Sequence, residues 1–226
     1  MEAVKSLLKD KNPYIAARGV FLLPHLGDAG LKLTREIING DDARLRLAAL
    51  RSLRRSGNDH LQHAEKLAKD SDPQVRRELA TSLRNVPFDK SGEHIVELSK
   101  SYDGKDKTYL DALGIAATGK KTQSYNAIGR AIGNNEPSEW SKAFADIVWR
   151  LHPDKSALML ASRAMAVGVS DVQKKAAVVA LAFINSKIGS NTMLELAERS
   201  TGIAKAESLW WLLNNRNHRW REHGIV

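Results

Sequence analysis

The chain has 226 residues, of which 42% are hydrophobic and 27% charged, as in globular proteins that bury a core of their own. It contains no cysteine, which excludes disulfides, cysteine-ligated metal centres, thiol nucleophiles and covalent haem attachment within these residues. The formal charge of +9 fits an acidic partner such as nucleic acid, but the excess is spread along the chain and fits a solvated basic surface as well.

A 30-residue repeat organises the first part of the chain. The segments Asn12–Leu23, Asp42–Leu53 and Asp72–Leu83 align at this period, with apolar residues at matching positions. Each segment opens with Asn or Asp, which predicts a helix N-cap, and then spaces its apolar residues as a helix does. A second amphipathic segment follows each one after a short turn. The pattern predicts pairs of α-helices, and no segment shows the sustained alternation of a strand.

The same register places a fourth first helix in the segment KDKTYLDALGIAA. Asp103 or Asp106 is the expected N-cap, Gly114 is expected to permit close helix packing, and Gly119 to end the helix. These glycines form neither of the common phosphate-binding patterns. Asp103, Asp106 and Asp111 lack the spacing and closing glutamate of a calcium loop, so a capped turn is favoured over calcium.

The repeat becomes irregular after residue 133. EPSEWSKAFADIVWRLHPD predicts a helix capped by Pro137 and ended by Pro153, and further helical segments follow. The longest apolar run, Ala176–Ile184, has nine residues, against roughly 20 for a membrane span, so we expect no membrane insertion. The first residues lack the apolar centre of a signal peptide.

Helix pairs of this length with a D-P-x-V-R start resemble HEAT repeats. The resemblance implies an all-α fold, a right-handed α-α superhelix of about seven helix pairs in which each pair buries its face against the next. No linker is evident, so we expect a single solenoid over residues 1–226. Its regular repeats span residues 10–133, and irregular repeats with a C-terminal cap span residues 134–226.

Two segments carry a more specific resemblance. YDGKDKTYLDALGIAATGK and ESLWWLLNNRNHRW resemble the HEAT-repeat region of membrane-bound dehydrogenase or haem-binding CxxCH proteins, large multidomain proteins of planctomycetes and verrucomicrobia. The resemblance implies a β-propeller before this region and a c-type haem domain after it, in a parent exported to the periplasm or cell envelope. Neither flank is in this sequence, so no redox residue or cofactor is assigned to it. What the resemblance implies for the chain is a helical module that connects or docks domains.

Arginines are the first candidates for partner binding. Arg44, Arg51 and Arg55 recur at positions i, i+7 and i+11, which places them on one exposed helix face. They are predicted to contact an acidic protein surface or phosphates, with a solvated face as the alternative.

Arg46 and Arg76 have a different predicted role. Each lies four residues after an aspartate, Asp42 or Asp72, and can pair with it inside the first helical turn. HEAT repeats resembling these also use Asp–Arg ladders to hold successive pairs together.

Tryptophans are the second candidates. Trp210 and Trp211 are adjacent, so at most one of them can lie centrally in the core. Trp211 and Trp220 are predicted to contact a neighbouring domain or partner. The alternative is that the last segment, NHRWREHGIV, caps the final repeat.

The alternative to a binding module is an enzyme with the same helical architecture. Some small, basic HEAT-like solenoids are DNA glycosylases for alkylated bases, which need a carboxylate beside an exposed aromatic cleft. Trp140, Asp146, Trp149 and Arg150 supply these residue types. On a helical projection the two tryptophans lie on opposite sides, and Asp146 lies near neither.

The histidine pairs have no third ligand close in sequence, so no metal is predicted at His60 and His63 or at His218 and His223. We therefore expect a non-enzymatic scaffold without metal or cofactor, whose partner is a protein or an adjacent domain of a longer parent chain. The alternative is a nucleic-acid-binding solenoid, including a base-excising one.

Overall fold

The computed structural model describes residues 1–224, which fold into fourteen α-helices joined by short turns, with no strand in this range. The chain divides into two compact units, here called the N-terminal unit (Met1–Ser101) and the C-terminal unit (Tyr102–Val226). Ile225 and Val226, the last two residues of the predicted cap, lie outside the described residues.

The helices of the N-terminal unit alternate between two rows. They are α1 (Glu2–Leu8), α2 (Pro13–Leu22), α3 (Gly27–Ile38), α4 (Ala43–Arg55), α5 (Ala64–Ala68), α6 (Pro73–Ser82) and α7 (Phe88–Lys100). Helix α4 packs between α2 and α6, while α5 packs on α7. Helices α2, α4 and α6 begin 30 residues apart, as the repeat predicts.

The capping residues of these three helices are those predicted from the sequence. Asn12, Asp42 and Asp72 are the N-caps, and each side chain accepts a hydrogen bond from the backbone N–H two residues later. Behind each cap the matching apolar positions are fully buried. These residues are Val20, Leu50 and Ala80, and then Leu23, Leu53 and Leu83.

The helices of the C-terminal unit also alternate between two rows. Its helices are α8 (Lys107–Ala116), α9 (Lys121–Ile132), α10 (Lys142–Leu151), α11 (Ala157–Met165), α12 (Asp171–Ala182), α13 (Lys187–Arg199) and α14 (Gly202–Asn215). Helix α10 packs between α8 and α12, and α12 packs on α14. Helices α11 and α13 pack on each other in the second row.

Helix α8 begins 34 residues after α6 rather than 30, and its N-cap is one of the two predicted aspartates. Asp106 is its N-cap, with the side chain accepting from the Tyr109 N–H at 3.0 Å. A Cβ on Gly114 would overlap the Arg150 guanidinium, so this glycine does permit α10 to approach α8. The helix ends at Ala116, and Gly119 lies in the following turn with φ 75°.

The start of α10 differs from the prediction. Pro137 opens a short 3₁₀ turn, Pro137–Glu139, and the N-cap is Ser141, whose hydroxyl accepts from the Phe144 N–H. Trp140 precedes the helix with only 4% of its surface exposed, so burying its ring fixes where the chain enters α10. The helix ends at Leu151, two residues before Pro153, and its C-cap His152 adopts the left-handed conformation with φ 36°.

The fold class is all-α, with packed helix pairs of the α-solenoid type in each unit. One continuous solenoid over residues 1–226 stays a prediction. Over the described range no helix has the length and apolar character needed to cross a membrane.

Candidate partner-binding site

Arg46 forms an inter-repeat ion pair, which corrects the predicted pairing inside its own helical turn. Its guanidinium makes two hydrogen bonds of 2.7 Å to the carboxylate of Asp70, in the turn before α6. The side chains are only 10% and 6% exposed. Asp42 is occupied with capping its helix and binding Arg44. The ladder that holds successive pairs together is thus present, but it joins α4 to the next pair.

A second link between α4 and α6 uses one of the predicted contact arginines. Arg51 Nε donates to the Glu78 carboxylate at 2.7 Å, and Arg54 approaches the other oxygen at 2.8 Å. Glu78 is buried, whereas about half of the Arg51 side chain is exposed. Arg51 therefore contributes to packing between helices before any partner is considered.

Arg44 and Arg55 lie exposed on α4 with Arg51, as the helical spacing predicts. Arg44 pairs with Asp42 at 3.1 Å, and the guanidinium of Arg55 lies 5.4 Å from the ring centre of Phe21. The three arginines share a surface, and each already has a neighbour within the N-terminal unit. Their contact with a partner stays a prediction.

The acidic residues near α8 serve separate structural roles. Asp103 accepts from the backbone N–H groups of Lys105 and Asp106, and Asp111 pairs with Arg150 at 3.0 Å. In the part of the chain that the structure describes, no three His, Cys, Asp or Glu side chains converge on a common metal position.

His60 and His63 lie half-buried at the start of α5. The Nε2 atom of each is buried without a hydrogen-bond partner. Burial lowers the pKa of both imidazoles, and the nearby charges of Arg54 and Arg35 lower it further. These features favour neutral packed side chains. His218 and His223 lie at the chain's end, in and beside the 3₁₀ turn Arg221–His223.

An open cavity of about 390 Å³ lies between α10 and α12 and reaches the side of α11. Most of its wall is apolar. The α10 side contributes Trp149, 38% exposed, and the α12 side contributes Val172 and Ala176 among several small residues. The cavity is concave, partly preformed and mainly apolar, which is typical of ligand-binding and peptide-binding sites.

Asp146 lies on the rim of this cavity together with Trp149, which corrects the predicted separation of the two. They are three residues apart on α10 and so lie on neighbouring positions of one face. The Asp146 carboxylate accepts from the Tyr102 hydroxyl at 3.2 Å and from Lys142 at 2.5 Å. Burial and this carboxylate raise the pKa of Tyr102, so the phenol stays a donor. Trp140 lies away from the cavity wall, outside the helix.

A buried arginine closes the cavity from the α11 side. Arg163 is 2% exposed and donates to the backbone carbonyls of Pro137, Ser138 and Trp140. Burial lowers its pKa. Its guanidinium also lies 5.9 Å from the Trp140 ring centre. Arg163 thus fixes the entry of α10 and keeps the adjacent cavity wall in place.

The tryptophans in and after the last helix are placed differently from the prediction. Trp220 is fully buried, and its Nε1 donates to the Ile184 carbonyl at 3.1 Å, so it caps the unit rather than offering a contact surface. Trp211 is half-buried, and Trp210 is the more open ring at 53% exposure. Leu209 and Leu213 are exposed on the same helix, and sequence reasoning did not single them out.

Sequence reasoning also missed the α12 side of the cavity. Ala176, Ala177 and Ala180 form part of the wall, yet in the sequence they belong to an apolar run that suggests only a core helix. Their small size is the available signal, because alanines on a helix face leave space between packed helices.

Similarity to a known protein family lies in the N-terminal unit. No curated protein matches the chain. The N-terminal unit matches a protein-family model, that of HEAT repeats, over residues 1–101.

Proposed function

We propose that the chain is a non-enzymatic scaffold that binds a partner protein through the cavity between α10 and α12. The carrying observation is the cavity itself, whose apolar wall is open to solvent. HEAT-repeat solenoids present extended surfaces to protein partners, and the match over residues 1–101 supports this class of function.

The dimensions and chemistry of the cavity favour an apolar side chain of a peptide segment as the occupant. A volume of about 390 Å³ lies near the lower end of the range for ligand sites, and it accommodates one large anchor. Apolar anchors buried in such pockets supply much of the binding energy in peptide and protein interfaces. Trp149 offers the flat side of the site, against which a partner ring or branched chain packs.

Polar groups on the rim suit the backbone of a bound segment. Lys142 donates to the carbonyl of Gly104 at 2.7 Å as well as to Asp146, so the rim is held in place before binding. Gln173, on the α12 side, adds an exposed amide that can both donate and accept. A preorganised rim lowers the entropy lost when a peptide binds.

The test is selection of peptides from a random peptide display library on the whole protein, followed by calorimetry with synthetic peptides. Ala176→Trp fills the cavity from an exposed position on α12 and is expected to weaken binding by at least about tenfold. Ala131→Trp, at an exposed position on α9 outside the cavity, is the matched control and should leave affinity unchanged. Equal affinity of Ala176→Trp and the parent protein would contradict the proposal.

We also propose that this scaffold is a module of a larger redox protein. It is supported by the resemblance of Tyr102–Lys120 and Glu207–Trp220 to the HEAT region of dehydrogenase and haem-binding proteins. In that setting the scaffold joins or docks neighbouring domains. Sequencing the gene beyond Val226 tests the idea, since a parent of this kind encodes a CxxCH motif downstream.

Base excision is the competing activity, because Asp146 and Trp149 line one cavity. A glycosylase needs its carboxylate available to the sugar, whereas the Asp146 carboxylate is engaged by Tyr102 and Lys142. The test is whether the protein releases free base from alkylated duplex DNA and whether Asp146→Asn abolishes this release. Both results together would contradict the scaffold proposal and identify the protein as a glycosylase.

A further inference from the structure

A cluster of aromatic rings lies at the carboxyl ends of α10, α12 and α14. Phe183 is at its centre, with the rings of Trp149 and Trp211 each 6.1 Å away in edge-to-face arrangements. The guanidinium of Arg219 lies over Phe183, 4.8 Å from the ring centre. The cluster thus combines flat rings with a cation held by a ring face.

More basic groups border the rings. Lys121 Nζ lies 2.9 Å from Nε2 of His152, whose ring centre is 6.4 Å from that of Phe183. The His152 Nδ1 lies 3.3 Å from the Trp149 carbonyl, which fits a neutral imidazole with its proton on Nδ1. Burial lowers the pKa of His152, and the charge of Lys121 lowers it further. We call Lys121, Trp149, His152, Phe183, Trp211 and Arg219 the basic–aromatic surface.

The positive charge of this surface is available to a ligand. The hydrogen bonds found for Lys121 and Arg219 go to neutral acceptors, the His152 ring and the Phe183 carbonyl. Arg150 is different, because its Nε lies 3.0 Å from the Asp111 carboxylate, which neutralises its charge. Two cations of the surface are therefore not neutralised by these contacts.

The rings are accessible as well. Trp149 is 38% exposed, and Trp211 and Phe183 are half-buried. Exposed ring surface beside two cations that these contacts do not neutralise suits a ligand that carries both negative charge and flat faces.

We propose that the basic–aromatic surface binds single-stranded nucleic acid, with a base stacking on an exposed tryptophan and phosphates neutralised by Lys121 and Arg219. Each nucleotide carries one flat ring and one negative charge, which matches the alternation of rings and cations. An acidic protein segment carries the charge without a ring at each position. The net charge of +9 favours the encounter.

This site is separable from the proposed peptide cavity. Lys121 and Arg219 lie outside the cavity wall, whereas Trp149 contributes to both. Variants of the two cations therefore test nucleic-acid binding without altering the peptide site.

The experiment is fluorescence anisotropy of a labelled oligothymidylate of about 15 nucleotides with the whole protein. We expect micromolar binding that weakens about sevenfold between about 50 and about 200 mM salt, the slope for two neutralised phosphates. Intrinsic tryptophan fluorescence should be quenched over the same range of protein and oligonucleotide concentrations as the anisotropy change. Lys121→Gln with Arg219→Gln should abolish most of the salt dependence, and Trp149→Leu should weaken binding at least about fivefold.

Lys11→Gln with Arg18→Gln is the matched control, since it removes two positive charges from exposed positions of the N-terminal unit. Circular dichroism confirms that each variant is folded. Three outcomes overturn the proposal: no binding at low salt, equal weakening by the control pair, or labelled poly-glutamate binding as tightly as the oligonucleotide. The last would assign the surface to an acidic protein partner.

Discussion

Arg46 on α4 and Asp70 before α6 bind each other through two parallel hydrogen bonds, both 2.7 Å long, at a nearly buried position. The same guanidinium donates to the carbonyls of Gly40 and Asp41, so one side chain joins two turns of the N-terminal unit. A planar fork is required for this set of bonds, which distinguishes arginine from lysine here.

Arg46→Met should lower the free energy of unfolding by about 3 kcal/mol, because it leaves the buried Asp70 carboxylate without its cation. Arg46→Lys should lower it less but measurably, since an ammonium cannot reproduce the bidentate contact. Urea denaturation followed by circular dichroism measures both. Arg44→Met, at an exposed position on the same helix, should leave the midpoint where it is; an equal shift would show that charge alone matters.

Stability should fall as the pH drops below about 6.5, because His60 and His63 are held neutral in the fold. Their pKa values are lowered by burial, so the unfolded chain binds protons first. The stabilisation is complete above the unfolded pKa and is lost as the pH falls towards the folded one. Urea midpoints at pH about 7.5 and about 5 should differ, and His60→Gln with His63→Gln should reduce the difference. Proton NMR titration placing either pKa above 6.5 would contradict this explanation.

Two glycines of the C-terminal unit should respond oppositely to alanine. A Cβ on Gly129 in α9 meets only Phe144 Cζ at 3.8 Å, so Gly129→Ala should stabilise by up to about 1 kcal/mol. A Cβ on Gly189 in α13 would overlap the backbone carbonyl oxygen of Ile184, so Gly189→Ala should destabilise by about 1–3 kcal/mol. Thermal unfolding of the pair gives the comparison, and changes of the same sign would be inconsistent with these surroundings.

Trp220 should act as a core residue rather than a contact residue. Trp220→Ala removes a fully buried ring and is expected to destabilise by about 3–5 kcal/mol. Trp220→Phe should be milder, since it mainly leaves the Ile184 carbonyl without its donor. Trp210→Ala, at a half-exposed ring, is the control with little expected effect. Chemical denaturation distinguishes these cases, and a stable Trp220→Ala protein would restore the predicted contact role.

The helices of the N-terminal unit were predictable because their signals are local. Asp42 and Asp72 each precede a helix whose buried positions recur at fixed intervals, and both cap it. The start of α10 was harder, because Pro137 and Ser141 both signal a helix beginning within five residues. Burial of Trp140 decides between them, and burial depends on distant residues.

The candidate site was less predictable because it depends on the spacing between helices. A helical projection of α4 cannot show Asp70, which is 24 residues beyond Arg46 in sequence. In the same way, the cavity that unites Asp146 and Trp149 exists only because small residues of α12 face α10. Periodicity identifies which residues face inwards, and it does not give the width of the gap that they leave.

Asp70 also limits how the repeat can change in length. Its carboxylate accepts a hydrogen bond from Arg46 of the preceding helix pair, and its backbone carbonyl accepts one from Arg76 of the following helix. One inserted residue between Asp70 and Arg76 would rotate the second contact away while leaving the first in place. Insertions and deletions should therefore be rejected at this turn, which fixes the 30-residue interval between the starts of α4 and α6. The connection between α9 and α10 is longer, and a change in its length should be tolerated better.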